Sequence, residues 1–171
     1  MKSQTALLVI DMLNDFIREG AALEVPAGRS IVKSIRREID KAHKTNEPVI
    51  YLCDRHAPKD PEFQYWPKHA VRGTEGAEII EELKPGPKDT VIAKTTYSGF
   101  FDSALQDTLK QLGVEKVRLV GVCTNICVLY TAADAVMRGY EAEVIDDATA
   151  ALTDDDHNFA LRQIHDVLKK R

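Results

Sequence analysis

Short apolar runs alternate along the chain with longer stretches in which hydrophobic residues recur every three or four positions. The runs TALLVID (5–11), PVIYLCD (48–54), DTVIAK (89–94), KVRLVGV (116–122) and EAEVIDD (141–147) are rich in β-branched residues and predict strands. They are continuously apolar more than alternating, as parallel strands covered on both faces require. Between them the spacing predicts helices over about 28–45, 75–83, 101–112, 125–138 and 154–169. The third of these stops at Gly113, and the last opens with Thr153 as N-cap ahead of three aspartates that suit the positive end of a helix dipole. Strand and helix alternating throughout predict one α/β domain over 1–171: a three-layer, doubly wound, mostly parallel sheet with helices on both faces and right-handed connections.

One segment breaks the alternation. From Asp54 to Thr74, DRHAPKDPEFQYWPKHAVRGT is rich in proline and holds His56, His69 and the only tryptophan, Trp66. So long a loop in a compact domain is usually functional or disordered, and its aromatic and histidine content argues against disorder.

A length of 171 residues allows a substantial core, and the hydrophobic and charged fractions are those of an ordinary globular protein. The formal charge of −4 supplies no basic field, so neither nucleic acid nor an anionic membrane is an expected partner. The longest apolar runs, Ala6 to Ile10 and Leu119 to Cys123, are too short to cross a bilayer, and Met1 to Gln4 lead into a strand without a signal-peptide pattern. Three cysteines do not suggest a disulfide framework, and a reducing cytoplasm is the expected location.

Ligands of open parallel sheets bind beyond the carboxyl ends of the strands. Asp11, Asp54 with His56, Lys94, and the segment Cys123 to Cys127 all fall there. Singly, each has an ordinary explanation: a capping aspartate, a solvated lysine, a small buried hydrophobe. Together they can activate a thiol. A free thiol is mostly protonated at neutral pH, so it needs a base, which Asp11 can be, and a cation, which Lys94 can be. A helix starting near Asn125 adds its positive end and backbone N–H groups able to hold an oxyanion. Cys127 therefore stands where a nucleophile would be mounted. A redox role is less well supported, because three residues separate Cys123 from Cys127 where the oxidoreductase motif has two. A zinc site on the thiols would need further soft ligands, and Cys53 is the only other cysteine.

The segments ALLVIDMLNDF (6–16), KTTYSGFFDSALQDTL (94–109) and LVGVCTNICVLYTAADA (119–135) resemble the isochorismatase-like cysteine hydrolases, the superfamily that includes the nicotinamidases and pyrazinamidases. The resemblance runs through nearly the whole chain. It implies a catalytic triad of Asp11, Lys94 and Cys127, and a cis peptide between Val122 and Cys123. That peptide would direct the Cys123 N–H, with that of Cys127, at the oxyanion. It also implies a divalent metal, zinc first and iron or manganese as alternatives, on Asp54, His56, Glu62 and His69, with no organic cofactor. Some relatives place a second histidine soon after the Asp-x-His pair, and this chain has none there. Phe16, Trp66 and Tyr97 would flank a flat substrate, with Phe100 a further candidate to close the pocket.

The expected function is hydrolysis of a small carboxamide through a thioester, with nicotinamide to nicotinate and ammonia as the leading reaction. The alternative is a metal-independent hydrolase of the same family acting on an N-carbamoyl or ureido compound or on isochorismate. A flavodoxin-like receiver would also place an acid after the first strand, but it needs a phosphorylatable aspartate where this chain has Lys94. A non-catalytic interaction module would not require Asp11, Lys94 and Cys127 together. A small-molecule substrate and a homo-oligomeric assembly complete the expectations that the resemblance implies.

Overall fold

Five strands, β1 (Thr5–Ile10), β2 (Val49–Asp54), β3 (Thr90–Lys94), β4 (Lys116–Val122) and β5 (Glu141–Ala150), form one sheet in the order β3-β2-β1-β4-β5. Every pairing is parallel, a regularity beyond the mostly parallel sheet expected. The structure, a computed structural model, describes residues 4–169. The extreme ends of the domain expected over 1–171, Met1 to Ser3 and Lys170 to Arg171, lie outside the described residues.

Alternation along each strand divides the core between the two faces of the sheet. Leu7 and Val9 of β1, with Val49 and Tyr51 of β2, pack against Ile35, Ile39 and Ala42 of α2 (Val32–Thr45). The intervening residues Ala6, Leu8 and Ile10 join the opposite cluster. That cluster is closed by α3 (Leu105–Leu112), α4 (Leu129–Met137) and α5 (Asp154–Val167) through Leu109, Ala132 and Ile164. The helix ends follow the capping residues. Gly113 ends α3 with φ +69°, and the Thr153 side chain accepts the Asp156 N–H at 3.1 Å to start α5. Among the described residues no helix is long and apolar enough to cross a membrane.

Other helices differ from the spacing-based expectation, and hydrogen bonding explains why. No helix spans 75–83; only two short 3₁₀ turns form, Glu75–Ala77 and Glu81–Leu83. The backbone between them is spent on the segment after β1, with Asn14 N bonded to Glu78 O and Ile80 N to Met12 O. The 28–45 helix begins only at Val32, after a 3₁₀ turn at Pro26–Arg29. The 101–112 helix begins at Leu105, because Asp102 takes φ +44° and breaks the helical path. The 125–138 helix opens as a π turn, Thr124–Val128, before α4. A short helix absent from the expectation, α1 (Asn14–Ile17), follows β1 directly.

The chain runs outward from β1 to β3 and returns to place β4 beside β1, so the strand order reverses between β1 and β4. At this switch point a crevice forms beyond the strand ends. Gly121 belongs here: its φ is +117°, and a Cβ would lie 2.0 Å from the Ile10 carbonyl oxygen. Only glycine lets β4 approach β1 this closely just before the functional segment.

Candidate active site

Asp11, Asp54 and Lys94 end or directly follow β1, β2 and β3, and Cys127 sits in the π turn after β4. All four are buried, Lys94 to within 1 % of complete. A carboxylate oxygen from each of Asp11 and Asp54 and the Cys127 sulfur lie within 4.8 Å of one another. The centre of that group is taken by the Lys94 ammonium. Its three hydrogens go to Asp54 Oδ1 at 2.5 Å, the Thr96 carbonyl at 3.1 Å and Cys127 Sγ at 3.4 Å. Asp11 Oδ2 is 2.8 Å from Nζ as an ion pair, without an aligned hydrogen bond of its own. Asp11 Oδ1 is held by the Asp54 N–H at 2.8 Å. The acid is thus fixed by one oxygen, and its other oxygen lies against the ammonium that also reaches the thiol.

Burial sets the charges of this cluster. It raises the Cys127 thiol well above its ordinary value, with Lys94 the main opposing influence. Burial, then the charge of Asp54, also lifts the Asp11 carboxyl above its usual range. Lys94 resists its own burial because Asp11 and Asp54 hold its proton, raising it well above an ordinary lysine. Asp54 is the reverse case. Burial works against its charge, but Lys94 and two imidazoles keep it below the carboxylate range. Burial therefore favours the uncharged thiol, which Lys94 opposes, and makes the Asp11 carboxylate a better proton acceptor than an exposed one. Burial pushes Cys53 and Cys123 up to about 12 as well, and of the three thiols it is Cys127 to which the Lys94 ammonium donates.

The turn that carries Cys127 is wound around one carbonyl, with Ile126 N and Val128 N both bonded to Cys123 O at 3.0 and 3.2 Å. Thr124, fully buried, ties it to α5 through His157 Nδ1 at 2.8 Å. The peptide between Val122 and Cys123 is cis. Asp11 itself has φ +51°, a left-handed conformation that aspartate tolerates better than most residues.

A second cluster shares Asp54. Its Oδ2 lies 3.5 Å from His56 Nε2 and 3.8 Å from His69 Nε2, and Glu62 Oε1 is 4.0 and 3.9 Å from the same two nitrogens. The long loop is stitched at its ends, His56 N to Ala70 O and Arg72 N to His56 O, so the two histidines are brought side by side. Both rings present Nε2 inward because Nδ1 is engaged, His56 with Asp60 Oδ2 at 3.1 Å and His69 with the Pro67 carbonyl at 2.6 Å. His56 Nε2 is buried with no hydrogen-bond partner. Two nitrogens and two carboxylates with an orphaned lone pair between them fit a divalent cation such as zinc, iron or manganese. The local field favours positive charge here: burial opposes a charged His56, yet the nearby carboxylates, Asp54 foremost, lift the ring to about 9. Asp15, unremarked in the sequence, accepts the Ala70 N–H at 2.8 Å and anchors the loop beneath His69.

Between the clusters lies a cleft with about 400 Å³ of space between the protein atoms, part of it open to solvent. Phe16, Trp66, Tyr97, Val122 and Cys123 line it, as does Glu62. The Trp66 Nε1–H donates to the Tyr97 hydroxyl at 3.0 Å, so the loop is fastened across the opening to the segment after β3. Phe100 does not close the cleft. It is buried in the core below, its ring stacked on Tyr140 at 5.9 Å. Leu23, Ile126 and Leu152 complete the apolar wall and carried no signal in the sequence, being ordinary aliphatic residues in unrelated segments.

The family model described as the isochorismatase domain matches residues 5–169. A probable inactive nicotinamidase of Arabidopsis thaliana is 38% identical over 164 residues, covering 90% of this chain and 84% of that protein. The pyrazinamidase of Pyrococcus horikoshii in complex with zinc superposes with a TM-score of 0.92 at 31% identity, covering 96% of each chain. N-carbamoylsarcosine amidase from Thermoplasma acidophilum gives 0.87 at 36% identity, covering 95% of this chain and 92% of that one.

Proposed function

Because the chain belongs to the isochorismatase family, we propose that it is a cysteine amidohydrolase of small uncharged carboxamides, with nicotinamide as its best-fitting substrate. The observation that carries this reading is the charge of the cleft. Asp11, Asp54 and Glu62 line it, and the one ammonium beside them, Lys94, is buried behind the lining and already engaged by Asp11 and Asp54. A substrate that bears its own carboxylate would be buried against like charge. A neutral ring between Phe16, Trp66 and Tyr97 meets only apolar faces.

In the proposed reaction Asp11 accepts the Cys127 proton and the thiolate attacks the amide carbon. Backbone N–H groups of Cys123 and Cys127 stabilise the tetrahedral oxyanion. As the C–N bond breaks, Asp11 returns the proton to the leaving nitrogen, giving ammonia and a thioester on Cys127. Asp11 then takes a proton from water as its oxygen attacks the thioester, releasing the acid and restoring the thiol. Lys94 stays protonated throughout and balances the negative charge as it moves between sulfur and carboxylate. A divalent metal, when held by Asp54, His56, Glu62 and His69, would supply a Lewis-acidic anchor for a substrate ring nitrogen.

The likeness to N-carbamoylsarcosine amidase supports a second reading, a metal-independent hydrolase of N-carbamoyl or ureido compounds. The two separate in one assay. Ammonia release is measured from nicotinamide, pyrazinamide, N-carbamoylsarcosine and ureidoacrylate, with zinc-loaded and chelator-stripped enzyme. We expect kcat/KM for the neutral ring amides to exceed that for the carboxylates by about a hundredfold, the equivalent of about 3 kcal/mol for an unpaired buried charge. Preference for a carboxylate substrate, undiminished by chelation, would replace the first reading with the second.

A further inference from the structure

We propose that Asp60 is the positioning residue of the metal centre, with one carboxylate oxygen orienting His56 and the other setting the turn that carries Glu62. The inference rests on the reading of Asp54, His56, Glu62 and His69 as ligands. Asp60 Oδ2 is 3.1 Å from His56 Nδ1, and Oδ1 accepts the Glu62 N–H at 2.9 Å. Asp60 is the N-cap of the 3₁₀ turn Pro61–Gln64, so it fixes the start of the short element on which Glu62 is mounted. The same turn carries Phe63, whose ring meets the rings of His56 and His69 edge-on at 5.5 and 5.7 Å. A carboxylate only accepts, so Nδ1 is the nitrogen that carries the hydrogen, and a metal-binding, neutral His56 then has its lone pair on Nε2. His56 is thereby held as the tautomer whose Nε2 lone pair faces the centre, and that nitrogen is the buried atom with no other hydrogen-bond partner.

His69 provides the contrast. Its Nδ1 is satisfied by the Pro67 carbonyl, a backbone acceptor that no side-chain replacement removes. Of the two imidazoles, only His56 relies on another side chain for its orientation, and that side chain also sets Glu62. Asparagine cannot replace it. Its one oxygen accepts from either His56 or Glu62, and its amide hydrogens then confront the other donor.

The test is zinc affinity of the full chain, measured by competition with a chromophoric chelator, in wild type, Asp60→Asn and Asp60→Ala. It is paired with the visible spectrum of the cobalt-substituted proteins. We expect one zinc per wild-type chain, affinity about 10- to 100-fold weaker in both variants, and an altered cobalt spectrum reporting a changed ligand set. Melting of the metal-free proteins should fall only slightly, because Asp60 caps a short 3₁₀ turn that belongs to neither core cluster. Asp60→Asn keeps the side-chain shape and decides the matter if Asp60→Ala fails to fold. Variants with wild-type affinity and spectrum would overturn the role of Asp60 alone. A wild-type chain that binds no zinc would overturn the metal reading, and with it this one, before any variant is compared.

Discussion

Cys127→Ala should lower kcat/KM for amide hydrolysis by about four orders of magnitude or more while leaving the protein folded. No other group near the cleft can take over. Cys123 borders it, but the Lys94 ammonium that supports a thiolate donates to the Cys127 sulfur at 3.4 Å. Lys94 is a protonated ammonium engaged by three acceptors. The backbone N–H groups proposed to hold the oxyanion, and the aromatic walls, would survive, so substrate should still bind. Loss of one buried sulfur atom costs the core on the order of 1 kcal/mol. Thermal melting and steady-state ammonia release on the same preparation check both halves, and a variant that stays folded and active would remove Cys127 from the chemistry.

Lys94→Met should produce the largest loss of stability, about 3–5 kcal/mol in the metal-free protein. The substitution keeps the volume of the side chain but leaves Asp11 and Asp54 buried without their ammonium. The pH dependence follows from the directions of the shifts. Lys94 is raised above its unfolded value of 10.5, so its contribution is complete below that pH and is lost only as pH rises through the folded value. Asp54 is lowered from 3.8, so its contribution is present above that pH and is lost as pH falls through the folded value. In Lys94→Met one of the two carboxylates can regain neutrality by taking a proton. The deficit relative to wild type should therefore be greatest near neutrality and shrink as pH falls into the carboxylate range. Urea denaturation of both proteins at neutral and mildly acidic pH measures it, and a deficit that widens in acid would contradict this account of the cluster.

How much of this was legible beforehand depended on how local the signal was. The five strands could be read because continuous apolar runs are a local signature of buried parallel strands, and Gly113 and Thr153 mark helix ends through their own backbone and hydroxyl. The 75–83 segment has helical spacing, yet it forms tertiary hydrogen bonds to Met12 and Asn14 that no local pattern encodes. The π turn was equally hidden, since it follows from where Cys123 O receives two N–H groups. For the site, Asp11, Lys94 and Cys127 could be grouped because parallel strands bring their carboxyl ends to one edge. The shared role of Asp54, one oxygen toward Lys94 and the other toward His56 and His69, needed the two clusters in space. Asp60 reads in the sequence as a turn aspartate before proline, and only the contact with His56 gives it a further meaning.

The central claim is that the amide is cleaved through a bond to the Cys127 sulfur. Turnover of an amide substrate, quenched in acid and analysed by intact mass and peptide mapping, tests it directly when repeated with hydroxylamine present. The account predicts a mass increase equal to the acyl group on the Cys127 peptide, and a hydroxamate where hydroxylamine intercepts the thioester. Undiminished turnover that yields neither adduct nor hydroxamate, or an adduct mapped to another residue, would contradict it.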